Sequence, residues 1–279
     1  MKDMRIDLLG IFFIFMAAVI FLFPDFLTYK YQINVNREIK ILEDKQTYLK
    51  QKDEAYKKAV RYNEEIYKNR QKDLKDVKSY QRFSSGIKKD FGYLVIKKMK
   101  IKLPLYLGAT KQNMSKGAAI MGETSIPIGM KNSNCVIAAH RGYKGIPYFR
   151  EIEKLKIGDK VLINNPWEKL RYKVTEIMII HPDDLDEIRI QKGKEMITLL
   201  TCHPYQGHGR FRYIVRCTRD KGQGILHKKN KGKTKNDICF QSSQNEIDRE
   251  KGIRYTAAVL LILIGIRNLK MLINKKNER

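Results

Sequence analysis

The sequence predicts a mainly β protein, a closed barrel of about eight strands with short helices, preceded by a helical stalk and flanked by membrane segments. Three observations carry that prediction. From Gly92 to Cys217 short apolar or alternating runs follow one another: YLVI, LPLYLG, CVIAAH, KVLIN, LRYKVTEIMII, MITLLTC and FRYIVRC. Turn signals separate them at Gly108, Pro127-Ile128-Gly129, Gly142, Gly158-Asp159, Asn164-Asn165-Pro166 and Gly193. Ahead of this body, Gln32 to Arg82 lacks Pro and Gly and is rich in Lys, Glu, Gln and Tyr. Finally, each end of the chain carries a long apolar run.

The first apolar run, LLGIFFIFMAAVIFLFPDFL from Leu8 to Leu27, is broken only by Asp25 near its far end. At ~1.5 Å per residue it reaches about 30 Å, enough to cross a hydrocarbon core. Lys2 and Arg5 precede it, which keeps the amino terminus cytoplasmic and exports the body of the chain. No small-x-small cleavage site succeeds the run, so an uncleaved anchor is expected rather than a signal peptide. The second run, YTAAVLLILIGI from Tyr255 to Ile266, reaches only ~18 Å as a helix. Extended to Ile273 it is long enough to span, with Arg267 and Lys270 snorkelling toward headgroups beside Lys275 and Lys276. An interfacial helix is the competing expectation for this segment.

The stalk carries Val35, Leu42, Leu49 and Tyr56 at seven-residue spacing, flanked by Ile39 and Val60. Gln46 and Asp53 interrupt the companion positions, so a stalk or hairpin packed on the barrel is expected rather than a coiled coil. Ser84-Ser85-Gly86 breaks the helical pattern. The organisation expected is an anchor over 1–29, a helical stalk or hairpin over 30–86 and the barrel over 87–218. A basic linker over 219–252 and a membrane segment with its tail over 253–279 complete the chain. Short helices fit at Asn113–Lys116, Tyr148–Leu155 and Asp183–Glu187.

Composition narrows the function classes. A hydrophobic share of 43% excludes wholesale disorder, and 56 Lys+Arg against 30 Asp+Glu give a net charge of +26. Few of the basic residues are concentrated, which fits solvated faces better than a nucleic-acid site. Arg219 to Lys235 is the exception, with seven Lys/Arg against one Asp, and suits a linker near anionic headgroups. Cys135, Cys202, Cys217 and Cys239 form no CxxC pair or Cys/His cluster with zinc-like spacing, so no structural metal is expected, and nothing in the sequence suggests an organic cofactor.

The chemistry points to Cys202. MITLLTCHPY reads as a strand that ends in a cysteine, which places the thiol at the rim of the sheet. A thiol attacks a carbonyl as its thiolate and needs a base and a donor for the oxyanion. His140 closes the strand CVIAAH and is the imidazole most readily brought to the same rim, from a set that also includes His181, His203, His208 and His227. His203 adjoins Cys202, and strand neighbours face opposite ways. Arg212 and, in reserve, Arg210 stand at the start of FRYIVRC. Cys135 and Cys217 read as core.

Taken together, IAAHRG, Gly158-Asp159, TLLTC at 198–202 and RYIV at 212–215 resemble sortases in order and spacing. GYLVIKKMKIKLPLYLGAT resembles that family's opening strands and GETSIPIG its loop before the His strand. LPLYLG, the TCxPY signature and the carboxy-terminal apolar run most resemble the pilin-polymerising class C. No Asp-Pro-aromatic lid motif occurs between residues 70 and 92, and Asn165-Pro166-Trp167 matches it in letters only. The resemblance implies a cysteine transpeptidase in which Cys202 attacks the Thr carbonyl of an LPxTG-like sorting signal and forms a thioester. His140 would serve as acid and base and Arg212 as oxyanion donor. The implied partners are surface proteins or pilins bearing such a signal and an amine acceptor, a pilin Lys or a peptidoglycan precursor. The implied location is the plasma membrane of a Gram-positive-type bacterium, with the catalytic domain outside. Class A-like wall anchoring, a papain-like hydrolase and a non-catalytic tethered binding module are the alternatives. The late position of Cys202 at a strand end opposes the papain arrangement.

Overall fold

The computed structural model describes residues 2–46, 54–71, 74, 90–206, 209–221 and 242–277. Ser84-Ser85-Gly86, Leu49, His208, His227, Cys239 and most of the stretch from 70 to 92 lie outside them. Eight strands close into a barrel in the order β1-β2-β3-β4-β7-β8-β6-β5. They are β1 Asp90–Ile96, β2 Ile101–Leu107, β3 Ala118–Ile120, β4 Ser133–Ala138, β5 Lys160–Asn164, β6 Lys169–Ile180, β7 Glu195–His203 and β8 Phe211–Arg219. Two neighbouring pairs, β2 with β3 and β4 with β7, run parallel, and the rest are antiparallel. The eight-stranded barrel expected from the turn-punctuated runs is present. Only β3 is missing from those runs, a three-residue AAI segment too short for alternation to register.

Alternation sorts the side chains. Leu94, Leu105, Ile120, Ile137, Ile163, Leu199 and Val215 are buried and follow one another through the register around the barrel. The opposite face of β4, β6, β7 and β8 is also apolar. There Val136, Ile180 and Ile214 pack with Ile188, Leu185 and Leu200, beneath the connection between β6 and β7. Leu74, from the chain ahead of the barrel, joins that cluster. Short helical segments fall at Lys111–Met114, Ile152–Lys154 and Leu185–Ile188, close to the positions expected, and one the sequence did not suggest lies at Lys97–Met99 between β1 and β2.

Helix α1, Lys2–Gln46, continues without interruption from the apolar run into the charged stretch, with Pro24 inside it. Residues 32–242 form one compact unit, and Met1–Tyr31 with Ser243–Arg279 form another. Within the first, Val35 and Ile39 are buried, and Glu38 and Glu43 accept hydrogen bonds from Tyr106 and Tyr93 of the barrel. Part of the seven-residue stripe is therefore a docking face. Helix α2, Glu54–Lys68, is held by the buried Asn63, which donates to the Ile126 carbonyl at 2.9 Å and accepts from its N–H at 2.8 Å. Its end is fixed by Gln71, which donates to the Glu123 carbonyl and accepts from Ile190 N–H. The loops before β4 and between β6 and β7 are thus braced by chain that precedes the barrel.

In the second unit, α1 meets the carboxy-terminal helix α3, Gln244–Asn277. Both helices are long and apolar enough to cross a membrane. Asp25, the lone charge in the first apolar run, accepts from Arg254 at 3.1 Å and Tyr255 at 3.0 Å. Gly265 lies against Phe15. Contacts of 25 with 254 and of 15 with 265 make the pair antiparallel, and small residues such as Ala18, Ala258 and Gly265 allow close approach.

Gly92 has no room for a side chain: a β-carbon there would stand 2.0 Å from the Asn164 carbonyl oxygen in β5. Gly92→Ala must displace backbone at the β1–β5 seam, and a loss of about 3 kcal/mol is expected in urea unfolding. A loss below about 0.5 kcal/mol, within the range of neutral surface changes, would show that the seam yields freely.

Candidate active site

β7 is the central strand of the site, parallel to β4 on one side and antiparallel to β8 on the other. Cys202 is the direct cross-strand partner of Arg212. Toward β4 the register pairs Ala138 with Leu200. It is carried further by Ala139 N–H to the Leu200 carbonyl at 3.2 Å and by Thr201 Oγ1 to the Ala139 carbonyl at 2.8 Å. His140 stands two residues beyond Ala138, just past the end of β4, and Cys202 stands two beyond Leu200, one residue before the end of β7. Cys202 and Arg212 are thus neighbours across the β7–β8 ladder, and the β4–β7 register, extended past Ala138 at ~4.8 Å between strands, leads toward His140 at the same rim.

Alternation along β7 buries Thr201 and His203 and exposes Cys202. Cys202 therefore shares its face with Leu200, and the apolar cluster of Val136, Ile180, Ile188 and Ile214 continues from the thiol. Buried polar contacts hold that floor in place: Thr198 donates to Asn134, and Asn134 donates to the Ile188 carbonyl at 2.8 Å. Arg212 is half-buried, and its Nη1 donates to the carbonyls of Gly209 and Phe211. Gly209 adopts φ +69°, and a β-carbon there would stand 3.1 Å from Cys202 Sγ and 3.4 Å from Arg212 Nη1. Glycine is thus required both by conformation and by the closeness of thiol and guanidinium. Arg210 precedes β8 and is exposed.

His140 is half-buried, stacked on Tyr143 at 4.6 Å and edge-on to Tyr148 at 6.2 Å. Burial pushes its imidazole below the ordinary histidine range, which favours the neutral form at neutral pH. The other described cysteines are different. Burial raises the thiols of Cys135 and Cys217 far above their usual range and keeps them protonated. His181 is exposed against Phe211, and His203 is buried on the far face from Cys202. Among the described residues no group of His, Cys, Asp and Glu is arranged to hold a metal ion.

Two residues at the site carry no role that the sequence alone assigns. Arg141, in the IAAHRG segment, turns inward and donates to the Cys202 carbonyl at 3.2 Å. It forms an ion pair with Glu153, and the two side chains are only 3% and 2% exposed. His203 Nδ1 lies 3.4 Å from the same carboxylate, and Ser242 donates to its other oxygen at 2.7 Å. Burial pulls the Glu153 carboxyl upward. Hydrogen bonds from His203, Ser242 and Arg141, together with the Arg141 charge, outweigh it and bring the group down to about 2. The only sequence signal for this cluster is an Arg beside the candidate base.

A Sortase domain family model matches residues 94–220. The chain is 29% identical to sortase A of Bacillus anthracis over 51% of its length and 66% of that protein's. It is 30% identical to sortase A of Staphylococcus aureus, over 57% of this chain and 76% of the other. Among solved structures, Streptococcus agalactiae sortase C1 in complex with MTSET superposes with a TM-score of 0.59 at 29% identity, covering 67% of this chain and 98% of that one. Sortase C from Clostridium perfringens SM101 gives 0.56 at 31% identity, covering 66% and 98%. The chain belongs to the sortase family, and the solved structures it resembles are class C sortases.

This geometry makes two outcomes measurable. In a Cys239→Ser background, iodoacetamide under native conditions should modify Cys202 alone, read by peptide mass spectrometry; equal labelling of Cys135 or Cys217 would contradict their burial. The Glu153 carboxyl binds a proton more weakly folded than unfolded, so its ionisation favours folding. That contribution is complete above the unfolded value near 4.5 and is lost as pH falls toward about 2. Acid unfolding of Glu153→Gln should therefore be flatter than wild type over that window, and parallel curves would remove Glu153 from the acid response.

Proposed function

We propose that this chain is a sortase-type cysteine transpeptidase in which Cys202, His140 and Arg212 carry the reaction. The observation that supports it best is the direct cross-strand pairing of Arg212 with Cys202, the one exposed thiol among the described cysteines, with His140 two residues past the β4 end of the neighbouring ladder. Cys202 attacks the carbonyl of the Thr in an LPxTG-like sorting signal as neutral His140 accepts the thiol proton. The Arg212 guanidinium, beside the sulfur, faces the oxyanion that develops. His140 then protonates the leaving amine, and a thioester remains on Cys202. An incoming amine gives its proton to His140, attacks the thioester and releases the thiol, and a new amide results. The apolar face running from Leu200 to Ile188 suits the Leu-Pro portion of the signal.

The acceptor we favour is a pilin Lys, which makes the reaction pilus assembly; a peptidoglycan precursor amine is the wall-anchoring alternative. Support comes from relatives. One similar structure is sortase C1 of a streptococcal pilus island, and another is a Clostridium perfringens sortase C with a C-terminal cell wall sorting motif. Both apolar helices are taken as membrane spans, with the two termini cytoplasmic and the barrel outside. The proposed organisation is an anchor, a helical stalk, the barrel, a basic linker and a carboxy-terminal membrane segment with its tail. Holding enzyme and acceptor on one surface raises their effective concentration, so that an amine can compete with water.

The test is incubation of the purified chain with a sorting-signal peptide, with and without each amine, and product mass spectrometry. Wild type should give a peptide adduct on Cys202 and the amine-linked product. Cys202→Ala should give neither. Arg212→Ala should slow adduct formation by about 100-fold, the usual effect of losing one oxyanion donor. Cleavage by Cys202→Ala at the wild-type rate would overturn the mechanism.

A further inference from the structure

Arg141 reaches the site from below. Its Nη1 donates to the carbonyl of Cys202, while Nη2 is paired with the buried Glu153 of the Ile152–Lys154 turn. His203 Nδ1 is 3.4 Å from the guanidinium and 3.4 Å from the carboxylate, and the Tyr213 ring lies 5.4 Å from the guanidinium. Ser242, after the linker, closes the far side of Glu153. Burying an ion pair costs desolvation that an apolar pair of the same volume avoids, so stability alone accounts poorly for it. What the pair does at this place is fix the backbone of the residue that bears the thiol.

We propose that Arg141, oriented by Glu153, is a positioning residue for the Cys202 thiol: it holds the end of β7 through the Cys202 carbonyl and sets the field at the sulfur. The role of the thiol as nucleophile rests on the function proposed above; the placement of the pair does not. Arg141 is the nearer member of the pair to Cys202, since it alone bonds that residue. Its positive charge favours a negative sulfur, and the more distant Glu153 partly cancels it. The two ends of the pair therefore act on the thiol in opposite senses. A role in stability alone would move both substitutions the same way.

The experiment uses the full chain in detergent, in a Cys239→Ser background, with Arg141→Gln, Arg141→Lys and Glu153→Gln. The first readout is the rate of Cys202 alkylation by iodoacetamide at pH 7, which needs no substrate. Arg141→Gln should slow it about fivefold and Glu153→Gln should quicken it by a similar factor, as expected for one charge gained or lost at close range. Arg141→Lys keeps the charge but cannot serve both partners. It should alkylate within about twofold of wild type, yet cleave the sorting-signal peptide about tenfold more slowly with little change in KM. Shifts of one sign in Arg141→Gln and Glu153→Gln, or no shift in either, would overturn the proposal. So would a fall in activity that merely tracks a fall in Tm. Should Arg141→Gln fail to fold, faster alkylation in Glu153→Gln still supports the proposal, and unchanged or slower alkylation refutes it. If the variants alkylate as expected but the wild type cleaves no sorting peptide, the proposed function fails and the positioning role stands.

Discussion

The pairing of β7 with β4 on one side and β8 on the other is the constraint on which the site depends. A parallel ladder and an antiparallel ladder meet on the same strand, and both registers must be right for the three side chains to share one rim. Side chains alternate with a period of two, so a slip of one residue on any of the three strands would turn its contribution to the opposite face. The register is fixed by features that tolerate little change. Thr201 bonds across to Ala139, Asn134 bonds to both Thr198 and Ile188, and the fully buried Ile137, Leu199 and Val215 lock together inside.

Beneath the exposed thiol lies a buried polar layer, which is costly unless every member is partnered. The Glu153 carboxylate meets that requirement with Arg141, His203 and Ser242. The contrast among the cysteines has the same origin. Cys135 and Cys217 sit where ionisation is suppressed by burial, while Cys202 stands on the outward side of its strand. The inward or outward side of the strand thus separates an exposed thiol from two buried ones.

The fold is legible in the sequence because its signals are local. Apolar runs ending in Gly, Asn or Pro mark strands whether or not their partners are known, and seven of the eight strands announce themselves that way. β3 escapes because three residues carry no period. His140 and Cys202 stand out as strand-terminal residues, and the cross-strand partner of Cys202 is Arg212, the arginine preferred over Arg210. The Arg141 cluster is not legible. Its members come from positions 141, 153, 203 and 242, and only the folded barrel brings them together. The docking of Asn63 on Ile126 is hidden for the same reason, since 63 residues separate the partners. Asp25 looks like a flaw in an apolar run until the second helix supplies Arg254 and Tyr255.

In the proposed membrane arrangement, the antiparallel pairing of the two apolar helices bears on how the barrel could be lost from its surface. A protein held by one span is shed by a single proteolytic cut in its stem. Here Asp25–Arg254 and the Phe15–Gly265 contact clasp the spans to each other, and the barrel is covalently joined to both. A nick between the barrel and α3 would leave the barrel attached through α1, and a nick between α1 and the barrel would leave it attached through α3. In the proposed membrane arrangement, release requires two independent cleavages, so the lifetime of the enzyme at the cell surface is insensitive to the first.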